Sequence, residues 1–230
     1  MIANSDEQTS ATIFGDRVLA AWEIVSVCSS IVIAEWMLAS AVGFSKALTA
    51  VPVALALFLM YVSHRMRNES LRDLGFRFDN FFRALYLLAV PVAAFALLCL
   101  IVGWRMGGAP NFFRWHPSRY LVLQLIVGFL WGALQQYALQ SFINRRAMIC
   151  VGRGVPSILI VAVIFGLLHL PNLWVAGLTL IGGVVWAAVY QRVPNIFALA
   201  LSHAVMTWFV VSTLPPSVLR HLRVGIGYFG

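Results

Sequence analysis

Long apolar runs alternate with short polar breaks along most of the chain. We predict seven apolar spans, at about residues 18–43, 47–63, 84–103, 119–143, 155–170, 173–190 and 195–214. Runs of about 20 residues match the hydrocarbon core of a bilayer, which is about 30 Å thick. In lipid, every backbone polar group needs an internal partner, which helices provide. The pattern therefore predicts an all-α polytopic membrane protein, a bundle of about seven transmembrane helices.

One interruption leaves the number of spans open. The fifth and sixth spans form a single uncharged run from Gly154 to Tyr190, broken only at Pro171-Asn172. Proline disfavours helix at the residue before it, so we expect a kink or a tight turn there. An alternative count of six spans treats the run as one broken helix.

Composition supports the membrane assignment and limits the classes of binding partner. The chain is 61% hydrophobic and 10% charged, whereas about 25% charged residues is ordinary in soluble domains. Its net charge of +8 is divided among several loops, which favours contact with the lipid bilayer and argues against nucleic acid. The three cysteines (Cys28, Cys99 and Cys150) show no metal-ligand spacing and are typical of small apolar residues. The leading interpretation involves no metal and no other cofactor.

The chain is expected to be one transmembrane domain, residues 18–214, between a flexible polar N-terminus, 1–17, and a C-terminal tail, 215–230. The N-terminus lacks the basic segment of a cleaved signal peptide. With seven spans, ten basic residues lie on the side of the N-terminus and six on the other. The positive-inside rule then places the N-terminus in the cytoplasm. Residues 65–83 mix basic and apolar residues and suggest either an amphipathic interfacial helix or a solvated linker.

The distribution of acidic residues sets a chemical problem. All eight lie at or before Asp79, and only Glu23 and Glu35 fall within apolar runs. Yet the acid-free remainder holds the polar residues that stand out in predicted spans: Gln135, Gln136 and Gln140 in the fourth, His169 in the fifth and His203 in the seventh. Polar groups in lipid are costly and are usually functional. From their positions along the helices we expect these residues to converge at one depth, forming a polar site among spans four, five and seven.

Each of these polar residues also has a purely structural interpretation. Gly132, Gln136, Gln140 and Asn144 follow one another at intervals of four and share a helix face. The glutamines can therefore form an interhelical hydrogen-bond zipper, with the glycine pair Gly128-x-x-x-Gly132 allowing close helix approach. Each histidine taken singly is compatible with a packing role.

Two segments together resemble a known family. They read AVIFGLLHL (162–170) and NIFALALSH (195–203). They are similar to the second and third motifs of the CPBP family, the CAAX-protease and bacteriocin-processing (Abi) group of intramembrane glutamic endopeptidases. The resemblance covers a core of about residues 120–210, and LRDLGF (71–76) is similar to a segment that precedes this core in the family. It implies a bacterial inner (cytoplasmic) membrane protein with a peptidase-type cavity.

The resemblance also implies roles for individual residues. In the family a first glutamate activates water, the first histidine assists it, and the second histidine with an asparagine four residues later stabilises the oxyanion. Phe165 and His169 match the second motif and His203 matches the third, but Thr207 replaces the asparagine. The first motif, a glutamate pair followed after three residues by arginine, is degenerate: Gln135, Gln136 and Gln140 occupy its positions. A glutamine amide cannot serve as a general base at neutral pH, although it can orient a water.

Glu35 is the one carboxylate in an apolar run that is placed deeply enough to substitute for the missing base. It also fits a purely structural carboxyl. Glu23 is expected near the cytoplasmic interface without a special role.

Three functions follow from these residues. The first is a CPBP-type peptidase whose cavity opens toward the cytoplasm and which processes membrane-associated proteins or peptides. The second is a pseudoprotease that binds a membrane segment or peptide without cutting it. The third is a membrane protein that binds haem through His169 and His203.

Overall fold

The computed structural model describes residues 3–38, 46–112, 114 and 121–229, which are helical with no strand among them. The α-helices of this part are α1 (Ala3–Val32), α2 (Lys46–Met66), α3 (Phe81–Arg105), α4 (Leu121–Gln136), α5 (Arg145–Val151), α6 (Val155–Leu167), α7 (Leu173–Arg192), α8 (Ile196–Thr213) and α9 (Pro216–Leu219). Two π-helical segments, Ile33–Leu38 and Tyr137–Asn144, continue α1 and α4. Two short 3₁₀ turns, Arg220–Leu222 and Gly225–Tyr228, follow α9.

Several of these helices suit a bilayer. Within the described residues, four helical segments are long and apolar enough to cross a membrane: Phe14–Met37, Phe81–Arg105, Leu173–Arg192 and Ile196–Thr213. Two shorter helices, Ala50–Met66 and Val155–Leu167, are also apolar. The chain is therefore an all-helical protein that suits an integral membrane position. The count of seven spans and the orientation of the N-terminus stay predictions.

The first helix includes part of the predicted N-terminal segment. Helix α1 begins at Ala3, within the stretch for which the sequence predicts a flexible N-terminus. The predicted first span also includes residues 39–43, which lie outside the described part of the chain.

The uncharged run forms two helices that fold back on each other. Helix α6 ends at Leu167 and α7 begins at Leu173, where the side chain of Asn172 caps the helix by accepting from Val175 N at 3.2 Å. An added Cβ on Gly183 would lie 2.9 Å from Ala162 Cα, and one on Gly166 would lie 3.2 Å from Ala176 O. Contacts that run in opposite directions along the two helices mark an antiparallel hairpin.

Residues 67–80 form a loop, not a helix, and this loop packs against one end of the bundle. Gly75, with a φ of +93°, accepts from Ile196 N at 2.9 Å through its carbonyl oxygen. Leu74 O accepts from Ser141 Oγ at 2.6 Å and from Tyr190 Oη at 3.1 Å. Positive φ at position 75 suits glycine, and a Cβ there would meet Asn195 N at 3.2 Å. We call this side, with loops 67–80, 152–154 and 193–195, the arginine-rich end.

A buried cluster of charges at the arginine-rich end joins α1 and α2 to the rest of the bundle. Arg146 of α5 is fully buried, and its Nη2 lies 2.8 Å from Oε2 of Glu69. Its Nε lies 2.9 Å from Oε2 of Glu23 on α1, and Ser63 of α2 donates to Glu23 at 2.7 Å. Glu69 also lies 2.6 Å from Nδ1 of His64. Glu23, expected to have no special role, is therefore part of a buried ion-pair network.

Candidate functional site

The close approach of α4 and α8 depends on one glycine. A Cβ on Gly132 would lie 3.1 Å from Ala200 O and 3.4 Å from Cβ of His203. A Cβ on Gly128 would meet no described atom within 4 Å. Of the glycine pair expected to permit close packing, Gly132 is therefore the one that makes the α4–α8 contact.

Replacing Gly132 with valine should separate the two helices and destabilise the protein by about 1–3 kcal/mol, the usual cost of overpacking. The free energy of unfolding in detergent measures this effect. Gly128→Val, on the same helix with open space around it, is the matched control and should change stability much less. Equal losses in both variants would contradict the assigned packing.

Gln136 and His203 form a buried pair across the α4–α8 contact. The Gln136 Nε2 atom donates to Nδ1 of His203 at 3.1 Å, and Gln136 has no solvent-exposed surface. Trp186 of α7 stacks on the imidazole, with ring centroids 4.6 Å apart and planes 14° from parallel. The Trp186 indole nitrogen donates to Ser202 Oγ at 2.9 Å. An accepting Nδ1 requires that neutral His203 carry its proton on Nε2, which leaves Nε2–H as a donor.

His169 has the opposite tautomer. Its Nδ1 lies 2.7 Å from the backbone oxygen of Phe165, and a carbonyl only accepts, so Nδ1 must donate. The Nε2 atom of neutral His169 is therefore an acceptor. The Phe165 ring contacts both imidazoles edge-on, at centroid distances of 4.8 Å to His169 and 6.1 Å to His203.

A chain of amides leads from Gln140 to the arginine-rich end. Asn144 donates to Oε1 of Gln140 at 2.8 Å, and Gln191 donates to Oδ1 of Asn144 at 2.9 Å. Gln191 also donates to Ser157 Oγ at 2.9 Å and accepts from Gly154 N at 2.9 Å. Gln140 and Asn144 lie in the π-helical segment that begins directly after Gln136. Such segments occur frequently at functional sites because the wider turn redirects side chains.

Three amide atoms in this region have no hydrogen-bond partner among the described residues. They are Oε1 of Gln135, Oε1 of Gln136 and Nε2 of Gln140, and all three are buried. An unpaired buried polar group costs about 1–3 kcal/mol, so each of these atoms favours a further partner. We call Gln135, Gln136, Gln140, His169 and His203 together the glutamine–histidine site.

Glu35 and Thr207 are not joined to this site by hydrogen bonds of the described residues. The Glu35 side chain is exposed, and its backbone lies against Gly225 of the C-terminal tail, where a Cβ would meet Glu35 O at 2.7 Å. No hydrogen bond found in the described residues links Glu35 to Gln135 or His169. Thr207 lies one turn beyond His203 on α8 and is half-buried.

Sequence reasoning missed two groups of residues that shape this region. Trp186, Ser202 and Gln191 lie in or beside apolar runs and carry no motif signal. The sequence does contain a feature that could have indicated the ion-pair cluster around Arg146. Because no acid follows Asp79, a buried arginine in the second half needs a carboxylate from the first half.

Comparisons of the chain with protein-family models, with curated proteins and with solved structures find no match. The glutamine–histidine site has a defined set of hydrogen-bonding groups. It offers two unpaired amide acceptors, one unpaired amide donor, one imidazole acceptor and one imidazole donor.

Proposed function

We propose that this protein is a CPBP-like membrane protein whose glutamine–histidine site binds a membrane-associated peptide or membrane segment without cleaving it. The observation that carries the proposal is the set of buried amide atoms of Gln135, Gln136 and Gln140 that have no partner among the described residues. Gln136 contacts His203, and the segments that carry His169 and His203 resemble two motifs of the family.

The lack of a carboxylate in the site argues against the family's hydrolytic mechanism. Within the described part of the chain, the carboxylates of Glu23 and Glu69 pair with Arg146, and Glu35 is exposed. An amide does not take up a proton at neutral pH, so the glutamine at the first catalytic position cannot activate water as glutamate does. A site without a carboxylate base therefore favours binding without cleavage.

A peptide group complements the unpaired atoms. Each peptide unit offers one N–H donor and one carbonyl acceptor. The Oε1 atom of Gln136 suits the donor and Nε2 of Gln140 suits the acceptor. In a membrane, backbone groups are available for such bonds only where a helix is interrupted. The preferred ligand is therefore an apolar segment with a local break in its helix.

Hydrolysis by a different base is the second candidate. It is favoured by the tautomer of His169, whose Nδ1 donates to Phe165 O and whose Nε2 is free to accept a proton. In that mechanism Gln135 holds the attacking water through Oε1 and His203 donates to the oxyanion from Nε2. This candidate requires turnover that depends on both histidines.

One experiment separates the two candidates by following binding and cleavage of the same probe. Purified protein in nanodiscs is titrated with a fluorescent apolar 20-residue peptide carrying a central Gly-Pro, and an uninterrupted helical peptide serves as the comparison. We expect the interrupted peptide to bind more tightly and to stay intact by mass spectrometry. His203→Ala removes the Nε2–H donor of the site and the partner that holds Gln136, and this loss should weaken binding by about tenfold.

His221→Ala, which removes an exposed histidine of the tail, is the matched control and should bind as the wild type does. Equal affinity for both peptides, or equal binding by His203→Ala, would contradict the proposed site. The absorbance spectrum of the same preparation tests the haem alternative, which requires a Soret band.

A further inference from the structure

A pocket of about 340 Å³ lies between α3 and α7, away from the glutamine–histidine site. Its lining is apolar and includes Leu98 and Val102 of α3, Leu173, Gly177 and Ile181 of α7, and Leu214. The rim residues Leu98, Leu173 and Ile181 are exposed, so the pocket opens on the outer surface of the bundle. Both α3 and α7 are candidate membrane spans, so this outer surface would face lipid in a bilayer.

A cation with no ion-pair partner among the described residues lies about one turn beyond the pocket on α3. Leu98, Val102 and Arg105 are spaced at i, i+4 and i+7 and therefore lie along one face of α3. Arg105 is exposed, and its guanidinium lies 5.6 Å from the centre of the Trp104 ring. Among the described residues no carboxylate forms an ion pair with it, and residues 80–230 contain no acid. An anion for Arg105 must therefore come from outside these helices.

Exposed tryptophans mark this end of α3 and α7 as a membrane surface. Trp104 is 72% exposed beside Arg105, and Trp174, which lines the pocket, is 45% exposed. Tryptophan is enriched where the hydrocarbon core meets the headgroups. In a bilayer that these helices span, the pocket would lie at the depth of the upper acyl chains and Arg105 at the level of the phosphates.

We propose that this pocket binds one acyl chain of an anionic phospholipid whose phosphate group contacts Arg105. The apolar lining accommodates the chain, and the guanidinium forms charge-assisted hydrogen bonds with the phosphate oxygens. Gly177 leaves the space open, since a Cβ there would meet no described atom within 4 Å. The inference does not depend on the function of the glutamine–histidine site.

Native mass spectrometry of the full-length protein in detergent tests the proposal with dioleoyl phosphatidylglycerol as the probe. Dioleoylglycerol, which has the same chains and no phosphate, is the matched lipid. We expect one tightly bound phosphatidylglycerol. Arg105→Gln should weaken its binding by about fivefold. Gly177→Leu, whose side chain displaces chain methylenes from the pocket, should weaken it by about tenfold.

Two controls isolate the proposed contacts. Arg83→Gln removes an exposed arginine at the other end of the same helix and should leave the affinity unchanged. Gly177→Ala, which fills little of the pocket, should bind nearly as well as the wild type. Equal affinity for the two lipids, or equal affinity of Arg105→Gln and Arg83→Gln, would overturn the proposal. Either result would indicate that lipid binds only nonspecifically at the protein surface. If Gly177→Leu does not fold, the two arginine variants decide the outcome.

Discussion

Replacing Arg146 with alanine should destabilise the protein by about 3–5 kcal/mol, the usual cost of removing one partner from a buried ion pair. Arg146 is fully buried, and it holds Glu23 of α1 and Glu69 of the docked loop at 2.9 Å and 2.8 Å. Without the guanidinium, two largely buried carboxylates lose their main counter-charge. Helices α1 and α2 would then lose a principal attachment to the bundle.

Unfolding in detergent by increasing denaturant measures this loss. Arg72→Ala is the matched control, because Arg72 is 65% exposed and pairs with Asp79 at the surface. An exposed pair of this kind contributes about 0–1 kcal/mol. A small effect at Arg146, comparable with that at Arg72, would show that the buried cluster does not hold α1 and α2 in place.

The same cluster predicts a pH dependence. Burial acts to raise the pKa of Glu69, but hydrogen bonds from His64 and Arg146 outweigh it and hold this pKa well below its usual value of 4.5. A lowered folded-state pKa means that the stabilisation is complete above the unfolded value and is lost as the pH falls below it. Wild-type stability should therefore decrease below about pH 4.5, and Arg146→Ala should reduce this dependence because Arg146 is one of the groups that lower the pKa of Glu69.

The variant Gln135→Glu/Gln136→Glu/Gln140→Arg should gain peptidase activity if the rest of the site is arranged as in the CPBP family, which the sequence resembles. It restores a carboxylate base together with a cation that compensates its charge. General acid–base catalysis contributes about 10²–10⁴-fold, so turnover of membrane-anchored peptides should rise at least about 100-fold above the wild type. Because we expect no peptide cleavage by the wild type, this gain of activity is the largest functional effect that we predict.

Two further variants test the origin of the gained activity and the need for all three substitutions together. Adding His203→Ala to the triple variant should abolish the gained activity, because His203 is in contact with position 136. Gln140→Arg alone should destabilise the protein, since position 140 is fully buried and an unpaired charge there is costly. A folded triple variant that remains silent would contradict the expectation that only the glutamines prevent hydrolysis.

The amino-acid pattern anticipated local structure well. The predicted span 195–214 corresponds to α8, Ile196–Thr213, because Asn195 is a good helix cap and the run that follows is uninterrupted. The proline at 171 marks the end of one helix and the start of the next, as its missing N–H requires. Periodicity could not indicate the π-helical segment after Gln136, because its polar residues Gln140 and Asn144 keep the four-residue spacing of an ordinary helix.

Long-range partners were harder to derive. The motif positions direct attention to Gln135, whereas the hydrogen bond to His203 is made by Gln136. Spacing along one helix does not specify which of two adjacent amides faces a neighbouring helix. The pairing of Arg146 with Glu23 and Glu69 joins residues far apart in the chain, and such contacts depend on how helices pack.

Whether the glutamine–histidine site lacks hydrolytic activity is tested most directly by peptide cleavage. Purified wild-type protein and His203→Ala are incubated in nanodiscs with the interrupted 20-residue peptide, and the products are followed by mass spectrometry. Our account predicts an intact peptide with both proteins and weaker binding by the variant. Cleavage by the wild type that His203→Ala abolishes would contradict it.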